Sequence, residues 1–129
     1  MENLKLIEGR EDVNLLVTKF YDKVRLNEEI GYFFNETIED WEEHLEKLTD
    51  FWESNLFRVN KFSGRPGYAH IKVDQKFNHS IEAKHFGVWL NLWFETIDTY
   101  FEGELADRAK YFARNLGSNF HMKIFAARG

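Results

Sequence analysis

Apolar residues recur along this chain at the three- and four-residue intervals of a helix. Val13, Leu16, Val17, Phe20, Tyr21 and Val24 make the first stripe, with polar residues between them. That segment is an amphipathic helix of roughly four turns. The next stripe runs Trp41, His44, Leu45, Leu48, Phe51, Trp52 and Leu56, backed by Glu42, Glu43, Glu46, Lys47 and Asp50. Pairs such as Glu43 and Lys47 add acid-before-base support at four-residue spacing. A third stripe holds His85, Phe86, Trp89, Leu92, Trp93, Thr96, Ile97 and Tyr100. A fourth holds Leu105, Ala109, Phe112, Ala113, Leu116, Phe120 and Ile124.

The breaks between stripes are as informative. Asn27 to Gly31 ends the first helix, and Tyr32, Phe33 and Phe34 form a short aromatic corner. Thr37, with Asp40 three residues on, predicts a capping box for the second main helix. Phe62-Ser-Gly-Arg-Pro-Gly67 is the strongest break, because Gly and Pro punctuate local structure. Tyr68 to Val73 is a weak helical candidate, and Asp74 to His79 reads as loop. Ser80 is placed to cap the third main helix. Glu102-Gly103-Glu104 ends it and opens the last, which Gly117 weakens in the middle by about 1 kcal/mol relative to Ala. The expected architecture is all-α, one domain over 1–129, with four main helices. The gap from Asn60 to His79 is the exception, and such gaps in compact domains are usually functional.

Composition narrows the function classes. The 129 residues suffice to bury a core, and with no cysteine there is no disulfide, thiolate metal site or cysteine nucleophile. The net charge is -5, with both signs mixed along the chain, which argues against a nucleic-acid groove or an anionic membrane surface as partner. No run approaches the roughly 20 apolar residues of a membrane span, and Met1 to Asp12 is too charged for a signal segment. A cytoplasmic location is the expectation. Phe, Tyr and Trp make up 17% of the chain and there is one proline. Few prolines suit helices. So many rings fit either an aromatic-rich core or a pocket shaped for a flat ligand.

Five histidines are present, His44, His70, His79, His85 and His121. His44 shares its helix face with Leu48 and Trp52. By itself it reads as a satisfied core histidine. Tyr21 also lies on an apolar stripe, and a buried hydroxyl needs a partner. Two polar tips aimed into one aromatic space fit a bound ligand that accepts hydrogen bonds. His70 lies in the loop-rich gap, where it reads alone as a surface histidine. No HExxH pair or carboxylate–histidine set accompanies it, so a zinc or di-iron site is not expected. No GxGxxG or phosphate loop points to a nucleotide. The remaining functional reading is a single imidazole beside an aromatic cavity.

Several segments resemble one family in order and spacing. They are Phe20-Tyr21-Asp22-Lys23-Val24-Arg25, Gly31-Tyr32-Phe33-Phe34, Trp41-Glu42-Glu43-His44, Phe51-Trp52, Gly64-Arg65-Pro66 with His70 beyond, and His85-Phe86-Gly87-Val88-Trp89-Leu90. Together, over Asn14 to Phe120, they resemble the third group of bacterial truncated haemoglobins. The resemblance implies a shortened globin fold, helices packed two over two around haem b. It implies His70 as the proximal iron ligand, Tyr21 as the distal tyrosine and His44 as the distal histidine. It also implies Phe34 packed on the haem face, Leu48 and Trp52 as apolar neighbours, and Trp89 as a distal indole within reach of ligand. Trp89 falls nineteen positions after His70, a longer separation than the family pattern leads one to expect, which makes His79 a rival ligand. His70 is favoured because it keeps the proline spacing, whereas His79 sits against Ser80.

A haem-binding globin would hold oxygen, and other diatomic ligands such as nitric oxide, through these donors. Two further classes follow from the same resemblance. One is a haem enzyme, a nitric oxide dioxygenase or peroxidase, which would need a separate reductase. The other is a haem-free sensor or interaction domain on the globin scaffold. The chain is expected to be a monomer or weak dimer. Lys72, Arg65 and Lys76 flank the proximal region around His70 and are candidates for haem carboxylates.

Overall fold

The computed structural model describes residues 4–59 and 66–128, with side chains from residue 70 onward in the second stretch. Six helices follow one another: α1 (Arg10–Leu26), α2 (Gly31–Asn35), α3 (Trp41–Phe57), α4 (Pro66–Lys76), α5 (Ala83–Tyr100) and α6 (Glu104–Ala127). Among the described residues there is no strand, only an isolated bridge between Lys5 and Phe101. Helix α1 packs on α3 and α5, and α6 packs on α4, α5 and α3. The stripes explain this arrangement. Val13, Leu16, Val17, Phe20 and Val24 of α1 meet Trp52 and Leu56 of α3 and Trp93 and Ile97 of α5 in one core. Each fully buried aliphatic or aromatic side chain there contributes about 1.5–3 kcal/mol. Trp93 and Trp52 stack with centroids 4.5 Å apart, and the Trp93 indole N–H donates to the Ala109 carbonyl at 3.1 Å.

The break after α1 is built by Asn27, whose side-chain oxygen accepts from the N–H groups of Glu29 and Ile30. The aromatic corner is helical, as α2. It starts at Gly31 because α2 crosses the end of α1 closely. A Cβ at Gly31 would lie 2.9 Å from the Arg25 carbonyl oxygen and 3.0 Å from that of Val24.

Three sequence expectations need correction. The N-cap of α3 is Asp40, not Thr37. Its carboxylate accepts from the Glu43 N–H at 3.1 Å, and only a residue directly before the first helical position can reach that donor. The gap also holds more helix than expected, since α4 runs Pro66–Lys76. Pro66 opens it rather than breaking the chain, because a proline at the first helical position gives up an N–H with no intrahelical partner. Finally, α5 starts after Glu82 rather than Ser80. The Nδ1 atom of His85 accepts from the Glu82 N–H at 2.8 Å, so a histidine takes the role of the usual Glu or Gln.

Between α4 and α5 the chain turns through Asn78 and His79, both at φ +59°. Two consecutive left-handed residues that are not glycine cost about 1–2 kcal/mol each and persist only where neighbours fix them.

Candidate functional site

The stripes do not close completely against one another. A cavity of about 240 Å³ opens beside the core, lined by side chains from α1, α2, α3, α4, α5 and α6. Tyr21, Phe34, His44, Leu48, Trp52, His70 and Trp89 all stand on its wall. These seven residues come from five helices, and the fold brings them to one space.

Tyr21 is 6% exposed. Its ring meets the edges of Phe20 at 4.8 Å, Phe34 at 5.7 Å and His44 at 6.1 Å. Burial pushes the phenol well above its ordinary pKa, so the hydroxyl keeps its proton. Trp89, on the same wall, works against the rise. The resemblance implies an indole within reach of a ligand, and Trp89 lines the cavity with its ring edge-on to Phe20, centroids 5.8 Å apart.

His44 is half-buried between Tyr21 and Trp41, with ring centroids 6.1 and 5.8 Å away. Burial, then the positive charge of Lys47 and the nearby His70, hold its pKa below the ordinary histidine value. Its imidazole is neutral at neutral pH. Arg25 stands over Trp41 at 4.4 Å.

His70 comes from the first half of α4. Its ring stacks on Phe120 of α6, with centroids 4.2 Å apart and planes 16° from parallel. His79 is elsewhere. It belongs to a surface hollow with Lys84, His121 and Arg128, is half-exposed, and has Nδ1 3.1 Å from Asp74. A carboxylate can only accept, so that nitrogen carries a proton. Among the carboxylate partners suggested by sequence, Lys76 donates to the Glu36 carbonyl, Lys72 is exposed, and Arg65 lies outside the described residues. Gly64 of the quoted segment does too.

Other wall residues are not among the sequence-derived site residues, Phe33, Ile81, His85 and Phe120 among them. Phe120 and His85 were visible on helical stripes, and Phe33 in the aromatic corner. Nothing in the local pattern marks Ile81. His85 meets the edge of Phe33 at 5.0 Å. Its pKa is lowered, chiefly by burial and then by Lys84.

Among the described residues, no group of three or more His, Cys, Asp or Glu side chains is arranged to hold a metal ion. No helix among the described residues is long and apolar enough to cross a membrane. The wall is aromatic and aliphatic with isolated imidazoles, a donor set that fits a flat apolar group needing one axial nitrogen.

No protein-family model matches the chain. Over 121 residues, 91% of this chain and 91% of the relative, it is 26% identical to the Group 3 truncated hemoglobin ctb of Campylobacter jejuni. The crystal structure of a group III truncated hemoglobin from Campylobacter jejuni superposes with a TM-score of 0.82. The identity there is 25%, with 94% of this chain and 95% of that chain covered. The chain has the truncated globin fold and resembles the group III truncated haemoglobins along nearly its whole length.

Within this truncated globin fold the two-over-two packing is the pair α1 and α3 against the pair α5 and α6. Helix α4 is the short extra element, held against α6 and carrying His70 into the cavity.

Proposed function

We propose that this protein binds haem b in the cavity, with His70 as the axial iron ligand, and takes up oxygen and other diatomic ligands such as nitric oxide. The observation that carries the reading is the separation of the two rival histidines. His70 stands on the cavity wall, stacked on Phe120, while His79 sits in another hollow against Asp74.

Haem supplies the iron and its ligand-binding and redox chemistry. The chain supplies the axial nitrogen, polarity and access. Phe34, Leu48 and Trp52 keep water from the ring faces. Tyr21 holds a proton at its hydroxyl, since burial raises the cost of the phenolate. That O–H is a donor for a ligand atom that bears negative charge. Trp89 stands on the same wall and stabilises negative charge on the Tyr21 oxygen, so its influence on a ligand passes through that hydroxyl. His44, kept neutral by burial, is a second polar group on the distal side with one nitrogen able to donate and one to accept.

The test is a Soret band. Protein expressed with haem should show one, His70→Ala should lose it, and His79→Ala should keep it. A band that survives in His70→Ala and vanishes in His79→Ala would exchange the roles. No band in the wild type would overturn the haem reading.

A further inference from the structure

The last turn of α4 carries a carboxylate that the ligand chemistry leaves unused. Asp74 is one helical turn beyond His70 and is 2% exposed. A carboxylate near a helix C-terminus faces the negative end of the helix dipole. Burial also disfavours its charge. Its partners offset both effects. The Arg128 guanidinium donates to its two oxygens at 2.9 and 2.7 Å. The Ile81 N–H donates at 3.1 Å, and His79 Nδ1 lies 3.1 Å away. The His79 N–H also donates to the Asp74 backbone carbonyl at 2.7 Å. Burial alone would push this carboxyl up, yet the hydrogen bonds from Arg128, His79 and Ile81 hold it below the usual carboxylate range.

These bonds join three places. Arg128 stands at the end of α6, and it also donates to the Ile81 carbonyl at 2.7 Å. His79 is in the strained left-handed turn, and Ile81 is buried on the cavity wall. Two left-handed residues in succession need outside restraint. Asp74 supplies it, since both His79 and Ile81 are bonded to this one residue.

We propose that Asp74 is a positioning residue: it clasps the helix that carries His70 to the end of α6 and to Ile81, and so sets the imidazole against the cavity. The proposal rests on the reading of His70 as the axial ligand. A two-pronged guanidinium–carboxylate pair fixes orientation as well as distance, which a single contact between α4 and α6 would not. The role also explains why the chain tolerates strain at Asn78 and His79.

Asp74→Asn and Arg128→Gln test it, with Arg128→Lys as the conservative control. In the haem-free protein, amide hydrogen exchange across residues 70–81 should accelerate about tenfold or more in the first two. Amides of α1 and α3 should keep their rates. In the haem-loaded protein the iron–histidine vibration of the reduced state should shift, and haem should leave about tenfold faster. Arg128→Lys should recover part of both effects. If Asp74→Asn does not fold, Arg128→Gln alone decides.

Exchange that is unchanged at 70–81, or raised equally in all six helices, overturns the clasp. Raised exchange there with an unshifted vibration overturns the positioning role, because Asp74 would then only stabilise the turn. A wild type that takes up no haem sinks the reading of His70 separately. Accelerated exchange confined to 70–81 would still support the clasp in that case.

Discussion

The influence of Trp89 on the Tyr21 hydroxyl makes a prediction that two independent donors would not. Tyr21→Phe removes the hydroxyl and keeps the ring, so the edge contacts with Phe20, Phe34 and His44 survive. The lost bond to a charged ligand atom is worth about 1.5–3 kcal/mol. Ligand dissociation should therefore quicken by roughly 10- to 150-fold. Trp89→Phe leaves the hydroxyl in place but removes the indole that acts on it, so its effect alone should be the smaller of the two.

The double variant decides the mechanism. Groups acting independently add within about 0.3–0.5 kcal/mol, whereas members of one hydrogen-bonded network couple by about 0.5–3 kcal/mol. The expected outcome is strong coupling, with the double variant close to Tyr21→Phe. Oxygen dissociation by stopped flow on the four proteins measures it, with urea unfolding of the same set as a control for lost stability. Additive effects would mean that each ring reaches the ligand separately, and the coupling of Trp89 to Tyr21 would be refuted.

Three other outcomes follow from the geometry. Gly31→Ala should lose about 1–3 kcal/mol of stability in urea unfolding, because its Cβ would lie within 3.0 Å of two carbonyl oxygens at the end of α1 that cannot move aside. Gly117→Ala should do the reverse in the haem-free protein. A Cβ there meets nothing within 4 Å, so the better helix former should gain about 0.5–1 kcal/mol, and a loss would mean that α6 is not helical through this point. The third concerns acid. The folded-state pKa of His85 lies below its ordinary 6.5 through burial and Lys84. The unfolded chain therefore takes up the proton first, and stability is complete above that value and lost as pH falls through it. His85→Gln keeps an acceptor for the Glu82 N–H and removes the titration, so its urea midpoint should fall less than the wild type's between about pH 7 and 5. Equal slopes would refute the assignment.

The helical stripes were legible because each long helix buries one face, so α1, α3, α5 and α6 could be read from apolar spacing. The distal wall followed from them. Tyr21, His44 and Trp89 already faced inward on their own helices, and it took packing only to bring them together. Helix α4 was hidden for a physical reason. It is short and begins at a proline, so its start looks like a break and its stripe has few turns in which to repeat. The choice between His70 and His79 turned on that helix, and what separates them lies in tertiary contacts. Phe120 stacks on His70 from α6, fifty residues away in sequence, while Asp74 draws His79 off into the turn. Both contacts depend on α6 lying against α4, which no local pattern in the gap could report. The cap of α5 shows the same limit at shorter range. Ser80 has the better capping side chain, but Ile81 is committed to the cavity wall and its N–H to Asp74. The helix therefore begins two residues later than local propensity favours, at Glu82. The same carboxylate that fastens α4 thus also fixes where α5 starts, which ties the position of His70 to that of Trp89 through backbone as well as through the cavity.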